Sequence, residues 1–138
     1  MIAAFAVCAA ALLMTVDEQT EPKTEEFELL QIEQNIITFT NAERARYGLA
    51  PLKIDETLVK SARAHATWMT LNRTLRHTRQ PVAENIAMGQ RNSTEAVADW
   101  MSSSGHRSNI LNRGYTKIGA AAYRTHEGRI YWCQQFLR

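Results

Sequence analysis

"YTKIGAAAYRTHEGRIYWCQQFL" (Tyr115–Leu137) decides the fold. Ile118, Ala120 and Ala122 fall on every second position, and so do Ile130, Trp132 and Phe136. Successive side chains of a strand point to opposite faces, so a two-residue period marks one buried face. Between the two runs lies "HEGR", whose Gly128 suits a tight turn. The chain therefore ends in a β-hairpin.

Working back from the hairpin, the period becomes helical. Leu29, Ile32, Ile36 and Phe39 recur at three- and four-residue steps, which predicts a helix over Phe27–Tyr47 with one apolar face. Arg44 and Arg46 lie in its last turn, where cations suit the helix dipole, and Gly48 is a natural stop. "LAPLKI" runs extended, since Pro51 disfavours a helical residue before it. Asp55 is placed to cap a second helix, "ETLVKSARAHATWMTLN", with Leu58, Ala62, Ala66 and Met69 buried and its alanines allowing close approach by a neighbour. His65 beside that stripe reads as a packed histidine. "RTLRHTRQPVAENIAMGQRN" shows no sustained helical period and reads as a long connection, a kind of segment that tends to carry function. Asn92 and Glu95 resemble a capping box that starts a third helix, about Ser93–Ser103, with Ala96, Val97 and Trp100 facing inward. Gly105 breaks it, and "HRSNIL" forms a short further turn. Helices first and a hairpin last give an α+β domain.

The 138 residues fit one domain. "MIAAFAVCAAALLMTV" at residues 1–16 is almost wholly apolar and shorter than the roughly 20 residues of a spanning helix, so it reads as a secretory leader or an anchor, with a buried helix of the fold as the alternative. No Lys or Arg precedes the apolar run, and no clear small-x-small cleavage site follows it. Residues 17–26, "DEQTEPKTEE", hold no apolar group and read as an acidic linker. Residues 27–138 form the domain. From Phe27 onward there are fifteen Lys and Arg and nine Asp and Glu, so 15 − 9 = +6. That balance suits anionic cell-wall polymers or lipid headgroups, and equally simple solubility. The arginines are scattered without interleaved aromatics, which argues against nucleic acid. Of the two cysteines, Cys8 lies in the leader, so Cys133 has no partner for an internal disulfide and reads as an inert core thiol.

The candidate chemistry rests on His77, Glu84 and His106. Imidazoles and a carboxylate can hold a divalent metal or exchange protons near neutral pH. Their spacing is not diagnostic, and surface histidines with a Glu84 that braces the loop are the alternative. Ser102, Ser103 and Ser104 precede His106, but no base–orienter pair marks a nucleophile.

The ordered blocks "NAERARYGLAPLKIDETLVKSARAHATWM", "LRHT", "AENIAMG", "AVADWMSSSGHRSNIL", "YTKIGAAA" and "IYWCQQF" resemble the CAP superfamily, also called the sperm-coating-protein domain, in its short bacterial form. The resemblance covers about Gln31–Phe136. It implies an α-β-α sandwich, a small antiparallel sheet between helical layers. It also implies that His77, Glu84 and His106 line one cleft, with Asn85, Ser103 and Asn109 at its rim. Ser103 stands where the family carries a second acid, which weakens metal binding and any two-carboxylate mechanism. Ala83 replaces the family's usual glycine before Glu84. Trp100 and Trp132 read as core.

The expected function is a secreted or envelope-associated, monomeric binding domain. Its cleft would take a small ligand, a lipid, a cell-wall component or a divalent cation such as zinc on His77 and His106. No cofactor is required, no nucleic acid is bound, and a membrane is met only through the leader. The alternatives are a metal-assisted, protease-like hydrolase with Glu84 as catalytic base, and an interaction module with a vestigial cleft.

Overall fold

The structure is a computed structural model and describes residues 27–138. The leader and the linker lie outside the described residues. Among the described residues four helices and four strands follow in the order α1 (Gln31–Arg46), β1 (Lys53–Ile54), α2 (Glu56–Asn72), β2 (Ala83–Met88), α3 (Ser93–Ser102), α4 (Ser104–Ile110), β3 (Lys117–Arg124) and β4 (Ile130–Leu137). Among the described residues no helix is long and apolar enough to cross a membrane.

Most of the helical reading holds, and its departures have physical causes. Helix α1 starts at Gln31, four residues later than expected, because Glu33 folds back to accept the Leu30 N–H at 2.9 Å. In α2, Asp55 accepts from Leu58 N at 2.9 Å, and Leu58, Val59, Ala62, Ala66 and Met69 are buried. Asn92 caps α3 through Glu95 N, but the Glu95 carboxylate takes the N–H of Arg91 instead of closing the box on Asn92. The break after α3 falls at Ser103, which is extended (φ −105°, ψ 123°), and Gly105 lies inside α4.

The sheet runs β1-β3-β4-β2. β3 and β4 form the expected hairpin, with Gly128 at φ +91° in its turn, and β2 pairs antiparallel to the other side of β4. β1 pairs parallel to β3, so the sheet is mixed and not purely antiparallel. β2 corrects the expectation of one long loop over Arg73–Asn92. Its alternation is hidden because Glu84 and Asn85 are buried beside Ile86 and Ala87. A strand covered on both faces carries no polar face for the period to reveal.

Both faces of the sheet are covered. Ile118, Ala120, Ala122, Trp132 and Phe136 pack with residues of α1, α3 and α4, including Ile36, Val97 and Trp100. Ala121, Tyr131, Cys133 and Ile86 face Ala62, Ala66 and Met69 of α2. This is an α-β-α sandwich. Both Trp100 and Trp132 are core residues, at 1% and 0% exposure. Gly119 and the alanines of α2 let helix and strand meet closely: a Cβ on Gly119 would lie 2.2 Å from the carbonyl carbon of Leu58.

Candidate functional site

The site is organised around Glu84. Its side chain is 3% exposed, on a strand at the sheet edge, behind an imidazole that is 60% exposed. Oε1 accepts from His77 Nδ1 at 2.9 Å and from the Thr78 N–H at 2.9 Å. Oε2 accepts from Gln135 Nε2 at 2.9 Å and faces the Cys133 thiol at 3.6 Å. All four partners are donors, so both oxygens are committed as acceptors. Because a carboxylate oxygen only accepts, Nδ1 of His77 carries the proton in this pair. In the neutral ring Nε2 is then the bare nitrogen, turned away from the acid. A carboxylate that fixes the tautomer and angle of an imidazole from behind is a common support for a ligand-facing histidine.

His65 belongs to the same cluster. Its Nε2 donates to the Arg76 carbonyl at 2.7 Å and lies 3.9 Å from Glu84 Oε1, and its ring stacks on Trp68. Sequence reading placed it as a packed histidine, and its side chain is 11% exposed. What that reading missed is that its packing partner is the loop that carries His77. The only hint was a histidine adjoining the buried stripe of α2.

His106 reaches the region from α4. Asn85, fully buried, donates to the His106 carbonyl at 3.0 Å and to Gln134 Oε1 at 2.9 Å. Asn109 donates to Asn85 Oδ1 at 2.9 Å and reaches the Glu84 carbonyl at 3.3 Å. Gln134 in turn donates to Thr40 Oγ1 at 2.9 Å. Asn85 and Asn109 thus fasten α4 to β2. Ser103 is the joint between α3 and α4 and makes no side-chain cap hydrogen bond. Ala83 pairs with Phe136 in the ladder. It is absent from the positive-φ residues, so the methyl there carries no strain.

Burial lowers the His106 pKa from its ordinary value, and the neighbouring His77 lowers it further. The two imidazoles therefore feel each other, and the fold favours neutral His106. A group with a depressed folded pKa binds fewer protons folded than unfolded, so stability is lost as pH falls below the ordinary histidine range. In an NMR titration His106 should protonate below free histidine, and His77→Ala should move it back up part of the way. A His106 midpoint unmoved by that substitution would separate the two rings.

Cavities flank the cluster. One of about 320 Å³ is walled by His65, Trp68, Arg76, His77, Thr78 and Arg79. A second, of about 600 Å³, shares His65, Trp68 and Thr78 and continues along apolar walls that include Leu58, Val82 and Leu137. His106 lines neither. Among the described residues no group of three or more His, Cys, Asp or Glu is arranged to hold a metal ion. The three-ligand set of two histidines and Glu84 is thus not formed, since the acid is spent on orienting His77. The Cys133 thiol is pushed well above its ordinary pKa by burial and then by the Glu84 charge, which fits an unreactive core thiol.

Glu84→Gln would place an amide NH₂ against two of these four donors and leave a neutral oxygen for the other two. The expected loss is about 2–4 kcal/mol of folding stability, since a buried charged acceptor is removed and two of its donors are orphaned. Urea unfolding followed by circular dichroism checks it. A variant as stable as the wild type would mean that Glu84 does not organise the site.

A three-layer α-β-α domain with a buried acid behind a paired imidazole defines a class before any comparison is made. The family description that matches residues 37–136 is CAP, the cysteine-rich secretory protein family, and the chain belongs to that family. It is similar to the uncharacterized protein YkwD of Bacillus subtilis, with 39% identity over 122 residues, covering 76% of this chain and 46% of YkwD. It thus spans under half of that relative's length. Among solved structures it is similar to an extracellular protein containing a SCP domain from Bacillus anthracis, with TM-score 0.67 and 27% identity, covering 77% of this chain and 40% of that one. NaASP2 with Zn2+ shares the fold, with TM-score 0.63 and 14% identity, covering 76% of this chain and 78% of that one.

Proposed function

We propose that the chain is an extracytoplasmic CAP domain that binds and does not transform its partner. A small ligand or a divalent cation meets the outward edges of His77 and His106, with the adjoining apolar cavity available to a lipid-like or cell-wall-derived group. The observation that carries this reading is the state of Glu84. It is buried, and both its oxygens are occupied by donors, so it has no open position from which to take a proton from water. A general base needs reach to the proton it removes. Ser103 adds to the argument, because it supplies no second carboxylate on the α3–α4 joint. The apolar composition of residues 1–16 and the extracellular description of the Bacillus anthracis neighbour support export.

Calorimetric titration with zinc chloride tests the cation. The wild type should give a saturable heat of modest affinity, and His77→Ala with His106→Ala should abolish it. Equal heats in both proteins would remove the imidazoles from the site. Turnover of a broad peptide or ester library by the wild type, lost in Glu84→Gln, would replace binding with hydrolysis.

A further inference from the structure

We propose that a second binding site lies at the opposite edge of the sheet, and that it takes a phosphate ester carried on a partly apolar small molecule. A cavity of about 740 Å³ opens there, within the size range of small-molecule sites. β1 and β2 are the two outer strands, so this cavity and the Glu84 cluster sit on different edges.

Its walls carry Arg44, Lys53, Arg113 and Lys117 against one acid, Asp55. The Asp55 carboxylate is engaged in capping α2 through Leu58 N. Among the described residues none of the four cations forms a salt bridge. Arg44 is the unusual one. Its residue is 2% exposed, and backbone carbonyls alone surround its guanidinium, the last of them at 3.5 Å. Carbonyl dipoles and no carboxylate offset its charge, so net positive charge stays beside the cavity, while the uncommitted donors belong to Lys53, Arg113 and Lys117.

Lys53 and Lys117 supply the second observation. They are directly paired in the β1–β3 ladder. Like charges directly opposite destabilise a sheet. A lysine on β1 by itself would be ordinary protection of an edge strand. Lys117 is on an inner strand and needs no such protection, and among the described residues neither ammonium group has a carboxylate partner. An oxyanion between the two ammonium groups would relieve their repulsion, and ammonium and guanidinium donors both suit phosphate oxygens. Ile54, 48% exposed, and Tyr115 give the same cavity an apolar side for the rest of the ligand.

Phenyl phosphate is the probe, titrated into the full ¹⁵N-labelled chain. The amide signals of Lys53, Tyr115 and Lys117 should shift saturably, and Lys53→Gln with Lys117→Gln should weaken binding at least tenfold. Both lysines are exposed, and circular dichroism verifies that the double variant is folded. Lys60→Gln with Arg91→Gln removes the same charge elsewhere and should change affinity less than twofold. Non-saturating shifts, the same shifts from benzyl alcohol, or equal weakening in both double variants would overturn the site. Flotation with phosphatidylglycerol against phosphatidylcholine vesicles then separates the sources. Selective binding to the anionic vesicles, displaced by phenyl phosphate, assigns a lipid headgroup. No vesicle binding beside saturable phenyl phosphate binding assigns a soluble ester.

Discussion

Gly119→Ala is expected to cost more than about 3 kcal/mol, beyond the usual 1–3 kcal/mol of an overpacked core. The added methyl would lie 2.2 Å from the Leu58 carbonyl carbon, 2.3 Å from Val59 N and 2.5 Å from the Leu58 oxygen. All three are backbone atoms in the first turn of α2, so no side chain can rotate away. Either α2 lifts off β3 or the strand shifts, and each exposes the face that packs Ala62 and Ala66 against Ala121. Two other glycines serve as controls. Gly128→Ala meets open space but stands at φ +91°, so its cost should be about 1 kcal/mol. Gly105→Ala meets nothing within 4 Å inside α4 and should be neutral or stabilising by up to about 1 kcal/mol. Chemical denaturation of the three variants should rank them in that order. If Gly119→Ala ranks with Gly128→Ala, the close approach of helix and strand is not real.

Arg44→Met is the second large effect. The guanidinium donates to the carbonyls of Ala50, Ile110 and Asn112 at 2.8–2.9 Å, and to Tyr115 at 3.5 Å. These carbonyls belong to the segment after α1, the end of α4 and the approach to β3, so one side chain gathers three chain segments. Methionine fills the space but donates nothing. Several buried acceptors lose their partner, and the expected destabilisation is about 3–5 kcal/mol. Arg44→Lys should recover less than half of it, since a single ammonium cannot span a planar fork of carbonyls. Thermal unfolding of the two variants decides it. A methionine variant with wild-type stability would show that the carbonyls find water instead.

Where residues alternate cleanly in polarity, sequence reading reached the fold. The hairpin, the Asp55 cap and the length of α2 all follow from apolar period and local capping chemistry. It failed where charge or amide is buried. Glu33 and Arg44 of α1 lie inside, off the apolar period of Leu29, Ile32, Ile36 and Phe39, and escape that reading because periodicity treats a charge as solvated and cannot see the Arg63 or carbonyl partner that satisfies it. β2 was hidden for the same reason. The site divides likewise. The contact of His77 with Glu84 followed from family resemblance, because a spacing of seven across a turn has no local signature. The Thr78 N–H, the Gln135 amide and His65, which complete the surroundings of the acid, are tertiary or backbone partners that no spacing encodes.

The hydrogen-bond chain from Thr40 through Gln134 and Asn85 to the His106 carbonyl crosses the sheet from α1 to α4. It ties α4 to β2 and, through β4, to α1. The backbone that carries the His106 side chain is held by these bonds, so its ordering entropy was lost during folding and not deferred to a later event.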